Sequence, residues 1–184
     1  MIRFFNVLFA KVSIRRAIWS EIEEDMGFLV RYLPGIFGFM SRYIVYKLLF
    51  KQICFLPFIQ PGVRFTYTKG ISLGRNVAIN SNCYFFGKGG IDIGDNVMIA
   101  PNCSIVAGSY ALEMGVPLFL RETEAEYIKI ENDCWLGANV VILGGVTLGE
   151  GSVVGANSVV KKNTAPFSIN AGSPARQVGD RRLL

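Results

Sequence analysis

Aliphatic residues recur every six positions through the second half of this chain, at Ile130, Leu136, Ile142, Leu148, Val154 and Val160. The same beat runs through Leu73, Ile79 and Phe85, and again through Ile93, Ile99 and Ile105. Four places after each bulky residue stands a small or β-branched one, as at Val77, Cys83, Val97, Cys103, Cys134, Val140, Ser152 and Ser158. Gly or Ala often follows the bulky residue directly, as at Gly74, Ala100, Gly137 and Gly155. Neither the 3.6-residue period of a helix nor the simple alternation of a strand gives such a beat. A flat strand with one bulky inward position, then a tight corner filled by a small residue, does give it, and three such units close a coil. Four coils fit, over 73–90, 93–110, 130–147 and 148–165, with Ile91 and Asp92 as a two-residue insert and 111–129 as a 19-residue one. The expected fold is an all-β solenoid carrying a protruding loop.

Residues 1 to about 55 lack this beat. Their apolar stretches broken by single charges predict short helices, with EIEED as an N-terminal helical turn favoured by the helix dipole and SRYIVYKLLFK as a helix capped by its serine. The expected organisation is a helical segment over 1–60, a β-helix over 61–165 with its loop at 111–129, and a C-terminal segment over 166–184. The helical segment can serve as a cap on the coil stack or as an amphipathic anchor at a membrane surface. Long excursions from a solenoid usually mark a functional face, although the four glutamates of the insert (Glu113, Glu122, Glu124, Glu126) also suit a solvated edge.

Hydrophobic residues make up 51% of the chain and charged ones 18%. That excludes a disordered polypeptide and leaves apolar surface for other subunits or lipid to cover. The net charge of +5 is uneven: residues 1–60 carry eight basic and four acidic side chains. Such a basic, apolar third suits an anionic membrane surface. It suits nucleic acid less, because the basic residues are not interleaved with stacking aromatics. Four cysteines without a CxxC pair, in a chain with no histidine, supply no metal-ligand set. Cys83, Cys103 and Cys134 fall on small inward positions and are expected to pack, and Cys54 in QICFLPFI is expected to be buried. The N-terminus lacks a signal-peptide cleavage site and no uncharged run is long enough to span a bilayer, so a cytoplasmic protein is expected.

The stretches IDIGDNVMIAPNCSI and CWLGANVVILGGVTLGEGSVVGANSVVKKNTAPFSINAGSPAR resemble the hexapeptide-repeat acyltransferases. In particular they resemble the galactoside/maltose O-acetyltransferase branch and its relatives that acetylate capsular or O-antigen polysaccharides. The likeness covers about residues 73–178. It implies a left-handed parallel β-helix, a homotrimer, and acetyl-CoA held in the groove between adjacent subunits. It also implies roles for single residues. Trp135 and Gly137 match a Trp-x-Gly motif whose tryptophan shapes the reaction cleft, and Ala138 and Ala156 match positions whose backbone meets the pantetheine arm. Lys162, with Lys161 beside it, and Arg176 after the AGSPA turn match the cations that hold the CoA phosphates. Lysine and arginine are suited to phosphate, as exposed backbone is to pantetheine amides.

One position departs from the pattern. The catalytic histidine of these enzymes ends a stretch that here reads SIVAGSY, which places Tyr110 there, while the asparagine that helps hold the acceptor or the oxyanion matches Asn80. A phenol of pKa about 10 is about 0.1% ionised at pH 7, against an imidazole of about 6.5. Tyr110 can donate to a developing oxyanion and is a poor base. Three readings stay open: transfer that relies on proximity and oxyanion stabilisation, a carboxylate of the insert such as Glu113 as base, or a catalytically impaired homologue that binds acyl-CoA or a partner. The expected activity is acetyl-CoA-dependent O-acetylation of a sugar of a cell-surface polysaccharide, lipid-linked or nucleotide-linked, near the inner face of the membrane, with sugar N-acetylation as an alternative.

Overall fold

The computed structural model describes residues 14–183 except 113, 116, 118 and 119. Among these residues two helices, α1 (Ile14–Arg31) and α2 (Gly35–Leu49), precede a parallel β-solenoid of three walls. The first wall stacks Gln52–Ile53, Ile71–Leu73, Ile91–Ile93, Ile128–Ile130 and Thr147–Leu148. The second stacks Phe58–Ile59, Ala78–Ile79, Met98–Ile99, Trp135–Leu136, Val153–Val154 and Ser168–Gly172, the last pairing antiparallel with Ala175–Asp180. The third stacks Arg64–Thr66, Tyr84–Phe86, Ser104–Val106, Val141–Leu143 and Val159–Val160.

The repeat is the core. Ile79, Ile99, Leu136 and Val154 lie one above another on the second wall and are fully buried. Each such side chain contributes about 1.5–3 kcal/mol relative to exposure. The small positions fill the corners: Val77, Cys83, Val97, Cys103, Cys134, Val140, Ser152 and Ser158 are all buried. The residue just before many of them takes the left-handed conformation. Asn76, Asn82, Asn96, Asn102, Asp133, Asn139 and Asn157 have φ between 56° and 61°, a region that Asn and Asp enter more readily than other side-chain-bearing residues. Their side chains also tie coil to coil, as in Asn76 Nδ2 to Asn96 Oδ1 at 2.9 Å and Asn139 Nδ2 to Asn157 Oδ1 at 3.0 Å.

The stacked strands begin at Gln52, upstream of residue 61, because a further coil precedes Leu73. Its inward residues Ile59 and Phe65 keep the six-residue spacing, but a short 3-10 turn at Thr68–Gly70 lengthens the next corner and hides the beat. Cys54 is exposed rather than buried, since it lies on the outer side of this first coil, where Gln52 Nε2 reaches its sulfur.

The helices close the lower end. α2 begins at Gly35 after Pro34, so Ser41 is an interior residue whose Oγ donates to the Phe37 carbonyl at 2.8 Å, not a cap. Tyr46, Phe50, Phe65 and Phe85 form an aromatic column that continues the solenoid core into α2, with ring centroids 4.8 Å apart from Tyr46 to Phe65 and from Phe65 to Phe85. Buried Arg42 donates to the carbonyls of Ile59 at 2.9 Å and Leu33 at 2.7 Å and so locks α2 to the first coil. Among EIEED, Glu23 lies well inside α1 and is buried, a tertiary role rather than a first-turn one.

Candidate functional site

Each coil turns from the second wall to the third, and from the third back to the first, and the candidate residues divide between these two corners. Asn80 lies at the second-to-third corner. Its backbone N–H and its Nδ2 both donate to the Ile99 carbonyl, at 2.9 and 3.0 Å, which fixes the amide. Two coils further on, the same corner carries Gly137 and Ala138, and one more coil brings Gly155 and Ala156, with Asn157 N–H donating to the Ala138 carbonyl at 2.9 Å. The coils approach so closely there that a Cβ on Gly137 would lie 2.6 Å from the Ala156 nitrogen. Trp135 stands beside this corner on the second wall, in register with Met98 and Val153 and 49% exposed. Asn80, Trp135, Ala138 and Ala156 therefore form one edge.

Tyr110 belongs to the other corner. The chain leaves the third wall at Ala107 and forms an antiparallel hairpin, Gly108–Tyr110 with Thr123–Ala125, before rejoining the first wall at Ile128. Tyr110 is opposite Thr123 and 52% exposed, and the Arg121 guanidinium donates to the carbonyl of Ala111 at 2.6 Å. Glu124 pairs with Ser109, one step along, so alternation puts it on the opposite face of the hairpin from Tyr110. Glu122 and Glu124 are exposed, whereas Glu126 is half-buried and packs over Gly144. Glu113, the carboxylate nearest Tyr110 in sequence, lies outside the described residues.

Lys161 and Lys162 follow the last third-wall strand and are exposed. Lys162 shares a cleft of about 260 Å³ with Arg176, Asn163 and Asn170, so the two cations matched to phosphate binding do meet in space. Asn80 and Tyr110 do not meet within one chain, because the width of the third wall separates their corners. Among the described residues, no group of three or more His, Cys, Asp or Glu side chains is placed to hold a metal ion.

Two features had no sequence signal. Glu23 is one of four acidic residues in a row of five, and only folding selects it. Its Oε1 accepts from Trp19 Nε1 at 2.6 Å, Thr68 Oγ1 at 2.6 Å and Thr68 N–H at 2.9 Å, and its Oε2 from Tyr67 N–H at 3.2 Å. Lys88 reaches across to donate to the Thr123 carbonyl, directly opposite Tyr110.

The outer surfaces of the walls differ. On the first wall the outward row reads Gln52, Ser72, Asp92, Lys129, Thr147 and is polar. On the second it reads Phe58, Ala78, Met98, Trp135, Val153, and of these Phe58, Met98 and Trp135 are about half exposed.

Two family models match the chain, one described as bacterial transferase hexapeptide (six repeats) over residues 127–162 and one as hexapeptide repeat of succinyl-transferase over residues 70–107. The galactoside O-acetyltransferase of Escherichia coli is 35% identical over 150 residues, which cover 77% of this chain and 70% of that one. A Staphylococcus aureus protein bearing an acetyltransferase name is 43% identical over 116 residues, which span 61% of this chain but only 56% of that relative's length. Among solved structures, a hexapeptide-repeat acetyltransferase of Vibrio cholerae, complexed with acetyl coenzyme A, superposes with a TM-score of 0.85 at 30% identity, covering 92% of this chain and 90% of that one.

Proposed function

The chain belongs to the hexapeptide-repeat acetyltransferase family, and from that premise we propose that it is an acetyl-CoA-dependent O-acetyltransferase that works on a saccharide of cell-surface polysaccharide assembly. The division of the candidate residues between two corners carries this reading. One edge offers a polar acceptor contact and close-packed backbone at Asn80, Trp135, Ala138 and Ala156. The other presents Tyr110 on a hairpin standing clear of the wall. Neither edge is a site alone, and a homotrimer that sets one chain's first edge against the next chain's second would complete it. The half-exposed Phe58, Met98 and Trp135 provide apolar surface for such packing.

The residues present fit the donor. Lys162 and Arg176 share one cleft, with Lys161 adjacent, and together suit the CoA phosphates. The Gly137 and Gly155 corner, bare of side chains, leaves backbone near Ala138 and Ala156 open to pantetheine amides. Acetyl-CoA supplies the activated acyl group, and the chain positions it. Asn80 and Tyr110 hold the acceptor hydroxyl and the oxygen on which charge develops, and the Tyr110 phenol donates to that oxygen. As the acceptor oxygen bonds to the acetyl carbon and the thioester C–S bond breaks, the acceptor proton passes to water or to a carboxylate of the insert, because a phenol at neutral pH seldom accepts one. CoA departs as its thiol after taking a proton from the same source.

The proposed location draws its support from α2. Ile36, Phe37, Met40, Ile44 and Leu48 are exposed on this helix, which contains no acidic residue, and Lys47 and Lys51 flank its end. This supports peripheral contact with the anionic inner face of a membrane. No helix among the described residues is long and apolar enough to cross one.

The test is turnover of acetyl-CoA with sugar acceptors by the purified protein, together with CoA affinity. Tyr110→Phe is expected to lower kcat by about 10²–10³ with CoA affinity unchanged. Unchanged turnover would remove the phenol from the reaction. A large gain in Tyr110→His would show instead that the position is a vacated base. CoA binding without any transfer would leave the alternative, a donor-binding homologue.

A further inference from the structure

Beneath the hairpin that carries Tyr110, at the same corner and between α1 and the first two coils, lies a pocket of about 450 Å³. Among the described residues, four cationic side chains line it, Arg15 and Arg16 from α1 and Lys69 and Lys88 from successive corners, and one acidic one, Glu23. Glu23 is buried and its oxygens accept four hydrogen bonds from neutral donors, so its single negative charge offsets at most one of the four cations. None of the four cations forms an ion pair among the described residues.

The cations are nevertheless placed. The Arg16 guanidinium lies 3.7 Å from the centre of the Tyr67 ring, and Lys69 Nζ lies 3.7 Å from that of Trp19. Those rings are themselves fixed, Trp19 by its indole bond to Glu23 and Tyr67 by the backbone bond to the same carboxylate and by packing on Phe86 at 4.8 Å. Lys88 bridges to Thr123, opposite Tyr110. A buried carboxylate thus holds two aromatic rings, the rings orient two cations, and a third cation reaches the catalytic hairpin. Aromatic faces attract a cation without neutralising it, so the positive charge remains available to an anion.

We propose that this pocket binds the phosphate groups of an activated sugar, so that the acceptor is a sugar diphosphate rather than a free saccharide. The inference rests on the acetyltransferase reading and adds the substrate class. Guanidinium and ammonium groups lining one pocket beneath the hairpin that carries Tyr110 suit a diphosphate, which accepts from several donors at once, and a neutral sugar would leave those charges unused. The shared chemistry is a sugar on a diphosphate, whether the far side carries a nucleoside or a lipid.

The test is direct binding, independent of turnover. Affinities of the full chain are measured for uridine diphosphate N-acetylglucosamine, for the same sugar on a short polyprenyl diphosphate, and for free N-acetylglucosamine. All are measured with CoA saturating, so that the cations at Lys162 and Arg176 are occupied. At least one diphosphate is expected to bind 10-fold or more tightly than the free sugar. Lys69→Gln or Arg16→Gln should weaken it by about 10-fold each and make its affinity less salt-dependent, while Lys162→Gln should leave it unchanged. The tighter of the two diphosphates identifies the carrier. Equal affinity for free and diphosphate sugar, or a loss confined to Lys162→Gln, overturns the proposal. If the pocket variants weaken diphosphate binding in a protein that neither binds CoA nor transfers acetyl groups, then the enzymatic reading has failed and the pocket stands.

Discussion

Glu23 offers the sharpest test of how α1 is held. The carboxylate accepts from Trp19, twice from Thr68 and once from Tyr67. In Glu23→Gln the amide oxygen can keep the three bonds now made to Oε1, but they become neutral, at a cost of about 1 kcal/mol each. The new amide nitrogen must then face the Tyr67 N–H across 3.2 Å, donor against donor, which orphans that group at about 1–3 kcal/mol. Relief of the buried charge's desolvation returns part of this. A net loss of about 2–4 kcal/mol is expected, localised to the helix. Hydrogen exchange reads it directly: amides of α1 and of the Tyr67–Thr68 turn should exchange about 30- to 1,000-fold faster, while inner coils such as Met98–Ile99 keep their protection. Trp19 fluorescence should change as well, since its indole loses the anionic partner. Unchanged α1 exchange would refute the reasoning, and uniform acceleration throughout the coils would show that Glu23 supports the whole fold rather than a joint.

Two further outcomes follow from packing and burial. Burial pushes the Tyr46 hydroxyl up to about 12, above its unfolded value of about 10, so the folded state keeps that proton longer. Stability is then complete below pH 10 and falls as pH rises from about 10 to 12, by about 2–3 kcal/mol from this group. Denaturant midpoints of Tyr46→Phe should be less pH-sensitive than wild type across that window, and parallel curves would contradict the assignment. Gly137→Ala should destabilise by about 1–3 kcal/mol, because its Cβ meets the backbone of Gly155 and Ala156 rather than a movable side chain. It should also weaken CoA binding, read as a higher Kd, and a melting temperature equal to wild type would show that the coils part freely.

The coil architecture was legible because it is local and repeated. A bulky residue every sixth position and a small one four places on dictate which side chains point inward, and Ile79, Ile99, Leu136 and Cys103 lie where that rule puts them. The rule lost the coil beginning at Gln52, because each early turn is lengthened at the corner that later carries the hairpin. Candidate residues with a linear motif, such as Trp135 and Lys162, are proposed from the resemblance, which assigns each a role by its place in the motif.

What tertiary structure alone decided was adjacency. The chain's order places Asn80 and Tyr110 thirty positions apart without indicating that a wall separates them, and it places Lys162 and Arg176 apart without indicating that they share a cleft. It likewise gives Glu23 no distinction from Glu21 and Glu24. A periodic pattern encodes which side of the strand a residue faces, because that depends on its near neighbours. Which distant residues become neighbours depends on corner lengths and on how α1 docks, and those are set only when the coils close on one another.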